Sequence, residues 1–304
     1  VSALRLHDVS KRFGRKVALD RMSFEVPTGS LCGFVGPNGA GKTTTFGVVC
    51  GYLQPDAGEV DVLGAGPFDP WALKGRLGVL PQDAELPMRH TPRELLVHMA
   101  RLQGLSRREA GTQAGDKLAL VNLTDRADAP IASLSHGMRR RVAVASALVG
   151  SPELVLLDEP TAGVDPVQAR ALREILLSLR GVATVIVSSH NLLELEQVCD
   201  HVVMVDAGRC VRAGTLSEVT GRGERLEWTL AAPLPTVAAL AAALPDHDVV
   251  CDGVELSVGA PVGADLDATT LVVLEALVAA RVAVREMRRG VSLEQRFVDD
   301  AASG

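Results

Sequence analysis

The sequence predicts an α/β fold with a buried parallel sheet, followed by a smaller α+β domain. Three observations predict it. The apolar run Leu31-Cys32-Gly33-Phe34-Val35 leads through a glycine-rich loop into a helical stretch beginning at about Thr44. The run Leu154–Leu157 is apolar throughout and Ala183–Val187 almost so, which fits strands covered on both faces. From about Gly221 the composition changes, and the remainder alternates strand and helix at short spacing. With 304 residues, 47% of them hydrophobic, the chain can bury two such cores, divided as 1–220 and 221–304.

Composition narrows the classes. A net charge of −6 gives no global sign of a nucleic-acid partner. The five cysteines, Cys32, Cys50, Cys199, Cys210 and Cys251, form no CxxC pair or metal-ligand spacing. They read as small buried hydrophobes of a reducing compartment. Val1–Ser10 is charged and has no apolar core, unlike a secretory signal. The longest apolar stretch, Leu271–Val284, is interrupted by Glu275 and Arg281 and is too short to span a bilayer. A soluble, cytosolic chain is expected, with any membrane role supplied by a partner.

Taken in order, Leu4–Val9 and Ser23–Val26 read as short strands, and Pro27-Thr28-Gly29 as a turn. Phe13 lies between them among polar neighbours; it either packs beneath a loop or stacks on a purine. Gly36-Pro37-Asn38-Gly39-Ala40-Gly41-Lys42-Thr43-Thr44 then has the G-x-x-x-x-G-K-[ST] spacing of a phosphate-binding P-loop. The glycines let consecutive N–H groups face inward, and the helix behind adds its unpaired donors and dipole. Lys42 supplies a point charge to the phosphates, and the Thr43 hydroxyl can reach Mg²⁺. The chain is therefore expected to bind a nucleoside triphosphate.

A strand-like Glu59–Leu63 follows, then Leu77–Leu80 leading into Pro81-Gln82-Asp83. Thr91-Pro92-Arg93-Glu94 carries a helix cap and capping-box partner, opening a helical insertion broken near Gly104 and again over Gly111–Gly115. Ser135 is placed to cap a helix over about Arg139–Val149, whose three arginines near the first turn oppose the helix dipole and call for a nearby anion. The strand Leu154–Leu157 ends in Asp158 and Glu159, at the sheet edge where α/β proteins bind ligands. A helix over Gln168–Leu179 precedes the strand Ala183–Val187, which ends in Ser188-Ser189-His190.

These pieces, in this order, resemble the ATP-binding subunit of an ABC transporter, over roughly residues 3 to 220. The resemblance implies a P-loop NTPase fold of the ABC ATPase type, with a core sheet, an antiparallel β subdomain and a helical insertion. It implies that Phe13 stacks on adenine and that Asn38, Gly39, Ala40, Gly41, Lys42, Thr43 and Thr44 cradle the phosphates. Thr43, Gln82 and Asp158 match the Mg²⁺ positions, with Gln82 also sensing the membrane partner. Glu159 matches the general base and His190 the switch histidine at the γ-phosphate, and Lys42 completes the catalytic set. Ser135 and Gly137 match the signature positions that contact the ATP of an opposite subunit, and Asp165 the loop between subunits.

Two segments depart from the family pattern. Leu134-Ser135-His136-Gly137-Met138 stands where Leu-Ser-Gly-Gly-Gln is usual, and Ala162-Gly163-Val164-Asp165 where Ser-Gly-Leu-Asp is usual. Met138 looks like many exporter-type ATPases. Because Ser135 would act in trans, the resemblance implies a head-to-tail pair, with an identical second subunit, sandwiching two ATP. It also implies transmembrane permease subunits and a place on the inner face of the cell membrane. Export of a drug, lipid, natural product or polysaccharide is the expected function. The alternatives are an importer ATPase, or an ABC ATPase acting on ribosomes or DNA.

The last third reads strand Leu226–Leu230, helix Thr236–Leu244, strands Asp248–Cys251 and Val254–Val258, helix Asp267–Ala280, strand Val282–Glu286 and helix Leu293–Ala301. Asp252-Gly253 is a hairpin signal. The order βαββαβ is that of a small ferredoxin-like unit, with regulation or dimer contacts as its expected role. Ser292–Phe297 resembles the tail of ABC-2-type exporter ATPases.

Overall fold

A computed structural model describes residues 1–221, 225–261 and 263–302, the last four by backbone alone. The chain divides into two compact units, Val1–Ala213 and Gly214–Gly304. The joint expected over Gly221–Glu224 lies, beyond Gly221, outside the described residues.

The first unit opens with two long strands, β1 (Ser2–Phe13) and β2 (Lys16–Pro27), which form a hairpin closing at Phe13 and Lys16. They are longer than the strands expected at Leu4–Val9 and Ser23–Val26. Register shifts near Val9 and Lys11 break the alternation that a sequence reading relies on. β3 (Leu31–Val35) is buried throughout and leads into α1 (Lys42–Val49). β4 (Ala57–Val62) returns to pair with β1, giving an antiparallel sheet in the order β2-β1-β4. Rings from three elements meet above it: Phe24 and Phe34 lie 5.4 Å apart, Phe34 and Phe46 5.7 Å. All three are buried, each contributing roughly 1.5–3 kcal/mol, and they hold the strand and helix on either side of the glycine loop.

After β5 (Leu77–Leu80) comes the helical insertion. α2 (Pro92–Leu102) has the expected capping box of Thr91 and Glu94. α3 (Arg107–Leu120) has a second one, Ser106 with Glu109, and runs through Gly111 and Gly115, where a break was expected. Each glycine costs about 1 kcal/mol relative to alanine. The capping box and the burial of Ala110, Ala114 and Leu118 offset that cost. The break at Gly104 is real, with φ +99°. α4 (His136–Ala147) then leads to β6 (Leu154–Asp158), α5 (Pro166–Ser178), β7 (Thr184–Ser189) and α6 (Leu192–Val198). β8 (His201–Asp206) and β9 (Arg209–Thr215) have no counterpart among the predicted elements. The six-stranded sheet has the order β5-β6-β7-β3-β8-β9, with β5 through β8 joined in parallel pairs.

In the second unit, α7 (Leu216–Thr220) precedes β10 (Arg225–Leu230), α8 (Val237–Ala243), β11 (Asp248–Asp252) and β12 (Glu255–Gly259). α9 (Leu266–Ala279), β13 (Val284–Arg289) and α10 (Leu293–Ala302) complete it. The sheet order β11-β12-β10-β13, antiparallel throughout, is that of a ferredoxin-like unit. Trp228 is fully buried among Leu226, Leu256, Val273 and Leu277. α7, ahead of the division expected at 220, belongs to this unit: the Arg296 Nε donates to the Val219 carbonyl at 2.9 Å. Among the described residues, no helix is long and apolar enough to cross a membrane. All five cysteines are free; Cys32, Cys50 and Cys199 are buried as expected, while Cys210 and Cys251 are partly exposed.

Candidate active site

The parallel register aligns the strand ends. Leu80 lies beside Leu157, Asp158 beside Ser188 and Val35 beside Ser189. The ends of β5, β6, β7 and β3 therefore form one row, followed by Gln82, Glu159, His190 and the glycine loop respectively. This is the sheet edge at which α/β folds take ligands.

The loop is shaped by close approach and by two left-handed glycines, Gly39 and Gly41. A Cβ on Gly36 would lie 2.2 Å from the Val205 carbonyl, so β8 closes against the loop. Gly41, with φ +103°, caps α1 and turns the first N–H groups of the helix toward the loop's concavity. Lys42 is 8% exposed, and its Nζ donates to the Gly36 carbonyl at 2.6 Å and to that of Pro37 at 3.2 Å. A cleft of about 250 Å³ opens in front. Phe13 and Lys16 border it from the hairpin turn, Asn38, Gly39 and Gly41–Thr44 from the loop and helix, and Gln82, Asp158 and Glu159 from the neighbouring strand ends. Phe13 is half exposed, its ring edging the cleft. Ala40 is buried, and its N–H donates to the Pro37 carbonyl at 3.2 Å. A larger groove of about 600 Å³, past His7, Leu53 and Phe68, contains none of the predicted residues.

The two acids differ in their surroundings. The Asp158 carboxylate accepts from the Thr43 hydroxyl at 3.2 Å through Oδ2, and from the Ser188 hydroxyl through Oδ1. An alcohol and a carboxylate oxygen at this separation are hard donors suited to a divalent cation that also takes oxygens from a bound phosphate. Among the described residues no cluster of three or more His, Cys, Asp or Glu side chains forms a metal cage. Glu159 is 5% exposed and has φ +49°, a left-handed conformation that costs a non-glycine residue about 1–2 kcal/mol. Its N–H donates to the Ser188 Oγ at 2.9 Å, and its Oε2 lies 2.9 Å from the His190 Nδ1.

Arg140, projecting from α4, makes its hydrogen bonds to main-chain carbonyls, with the carboxylates of Asp158, Glu159 and Asp83 as the nearby negative charge. Its donors reach the carbonyls of Asp158, Glu159, Pro160 and Gln82. Burial pushes its pKa below the ordinary value, opposed by the carboxylates of Asp158, Glu159 and Asp83. Arg141 similarly donates to the carbonyls of Val121 and Asn122. Carbonyl dipoles and nearby carboxylates, Asp125 in the case of Arg141, thus share in relieving the charge on both.

Five predicted residues do not border the cleft: Ala40, buried in the loop, His190, which reaches it only through Glu159, and Ser135, Gly137 and Asp165. The Ser135 Oγ caps α4 by accepting from the Met138 N–H at 3.2 Å. Gly137, in that helix's first turn, packs against Gln168. The Asp165 carboxylate caps α5, accepting from the N–H groups of Val167 and Gln168, each at 3.0 Å. Conversely, sequence reasoning missed Ser188 and Arg140. The register pairing Asp158 with Ser188 could have marked the serine; nothing local marks the arginine, because its partners are main-chain atoms of other segments.

Comparison with known proteins gives a consistent result. A family model described as ABC transporter matches residues 19–162. The Nod factor export ATP-binding protein I of Sinorhizobium fredii is 38% identical over 214 residues, 70% of this chain and 62% of that protein's length. The daunorubicin resistance ATP-binding protein DrrA3 of Streptomyces coeruleorubidus is 35% identical over 279 residues, 90% of this chain and 87% of that protein. Among solved structures, cbiO1 from Clostridium perfringens, part of the ABC transporter complex cbiONQ, superposes with a TM-score of 0.66 at 26% identity. That match covers 72% of this chain and 91% of the other.

Proposed function

The chain belongs to the ABC transporter ATP-binding family, and on that premise we propose that it is the ATP-hydrolysing subunit of an exporter, driving a substrate through separate membrane subunits. What supports hydrolysis is the convergence of Lys42, Thr43, Asp158 and Glu159 on one cleft, with His190 bonded to Glu159. What supports export is the named roles of the relatives, one of which matches along 90% of this chain, into the second unit. The substrate class is a drug, lipid, natural product or polysaccharide.

In this reading the amides of Gly39–Thr44 and the Lys42 ammonium hold the β- and γ-phosphates of ATP, and Phe13 packs on the base. Thr43 and Asp158, with Gln82, would hold Mg²⁺, which neutralises phosphate charge when bound. Glu159 accepts the proton of the attacking water. His190 steadies that carboxylate through Nδ1 and turns Nε2 to the γ-phosphate. Ser135 and Gly137 then serve the ATP of a second, identical copy arranged head to tail, with Asp165 at the contact. The pair works at the inner face of the membrane against permease subunits.

Two measurements test this. Mg²⁺-dependent phosphate release by the purified chain, absent in Glu159→Gln, supports the hydrolytic assignment. Recovery of a polytopic membrane protein with the tagged chain from its native cells supports the transport assignment; recovery of ribosomes or DNA-processing proteins overturns it.

A further inference from the structure

We propose that Arg140 is a positioning residue for hydrolysis, making the orientation of Glu159 depend on where α4 lies. The inference rests on Glu159 being the base. Four main-chain oxygens from two segments converge on its guanidinium. Nη2 donates to the Asp158 carbonyl at 3.0 Å and to that of Glu159 at 2.6 Å. Nε donates to the Pro160 carbonyl at 3.0 Å, and Nη1 makes a longer bond, 3.4 Å, to that of Gln82. The rigid fork of an arginine fits this set; the single ammonium of a lysine does not.

The grip falls on a residue that needs holding. Glu159 has φ +49°, a conformation that persists in a non-glycine residue only where the surroundings over-determine it. Its main chain is held on both sides of the Cα, the N–H by Ser188 of β7 and the carbonyl by Arg140 of α4. The first clamp belongs to the sheet. The second belongs to the helix that Ser135 caps and that carries Gly137 in its first turn. A displacement of α4 therefore pulls on the Glu159 carbonyl, and through the same guanidinium on Gln82. Swinging the peptide by even ~1 Å moves the carboxylate off its water, a misplacement that costs about a hundredfold in rate.

The experiment compares Arg140→Lys and Arg140→Ala with Arg141→Lys in the full-length chain. Arg141 is the comparison: it is buried in the same helix but donates to the carbonyls of Val121 and Asn122, away from Glu159. Arg140→Lys should lower kcat roughly tenfold and Arg140→Ala roughly a hundredfold. KM and the affinity for a non-hydrolysable ATP analogue should stay within about twofold, because no phosphate contact is lost. Hydrogen exchange in a peptide spanning 158–164 should quicken in Arg140→Lys and not in Arg141→Lys. Should Arg140→Ala fail to fold, Arg140→Lys with its exchange profile carries the test. Unchanged kcat in folded Arg140→Lys, or an equal loss in Arg141→Lys, overturns the proposal. Full hydrolysis by Glu159→Gln would instead remove the base assignment beneath it.

Discussion

The His190 Nδ1 lies 2.9 Å from the Glu159 Oε2, so a histidine at the end of β7 holds the carboxylate that follows β6. The bond crosses between adjacent parallel strands whose register pairs Asp158 with Ser188. It engages one carboxylate oxygen and one ring nitrogen, and the Glu159 Oε1 and His190 Nε2 take no part in it.

Glu159→Gln keeps an acceptor oxygen for His190 and nearly the same volume but cannot take a proton. ATP affinity is expected to hold while turnover drops about 10²- to 10⁴-fold, measured by steady-state phosphate release. Retention of wild-type turnover would show that another group receives the proton.

Lys42→Ala removes the charge that the glycine loop holds by its Gly36 and Pro37 carbonyls. Titration with a fluorescent ATP analogue should show affinity weakened by roughly tenfold or more, the worth of one charge-assisted bond to a phosphate. Unaltered affinity would contradict the P-loop assignment.

Ser188→Ala strips a partner from both the Asp158 Oδ1 and the Glu159 N–H in a buried setting. A loss of about 1–3 kcal/mol is expected, seen as a fall in Tm of roughly 2–4 °C per kcal/mol. Ser188→Thr, which keeps the hydroxyl, should recover most of it. A melting curve for Ser188→Ala that overlays the wild type would mean the hydroxyl bridge carries no net stability.

Burial pushes the Cys50 thiol from 9.0 up to about 12 and the Cys210 thiol up to about 11. Each folded pKa lies above its unfolded one, so this contribution to stability is whole below pH ~9 and declines as pH rises through the folded values. Thermal melts between pH 8 and pH 11 should fall accordingly. At pH 8 Cys210 is only roughly one part in a thousand thiolate, so alkylation of either thiol should be slow until denaturant is added. Rapid labelling of Cys50 in the folded chain would contradict its burial.

What the sequence makes legible is what is written locally. Asp252-Gly253 marks its hairpin, Thr91 and Glu94 their capping box, and the run Leu154–Leu157 its buried strand, because each signal lies within a few residues of its effect. The P-loop is legible for the same reason. The full length of β1 and β2 is not, since bulges disrupt the alternation, and neither is the passage of α3 through Gly111 and Gly115, where burial and a second capping box override propensity. Arg140 shows the limit best: its partners are carbonyl oxygens, which every residue type supplies equally, so no choice of side chain advertises them. Ser188 differs from Ser189 only in which face the strand register turns toward Asp158.

The chain has two tryptophans, one per unit, in opposite surroundings: Trp71 is 84% exposed, whereas Trp228 is sealed in the β10 core. Intrinsic emission therefore carries two separable voices, a red one from the solvated indole and a blue one from the enclosed indole. In a Trp71→Phe chain the remaining light comes from the ferredoxin-like unit alone. Its red shift on heating or in denaturant would time the opening of that unit against the loss of ATP hydrolysis in the other, with no label attached.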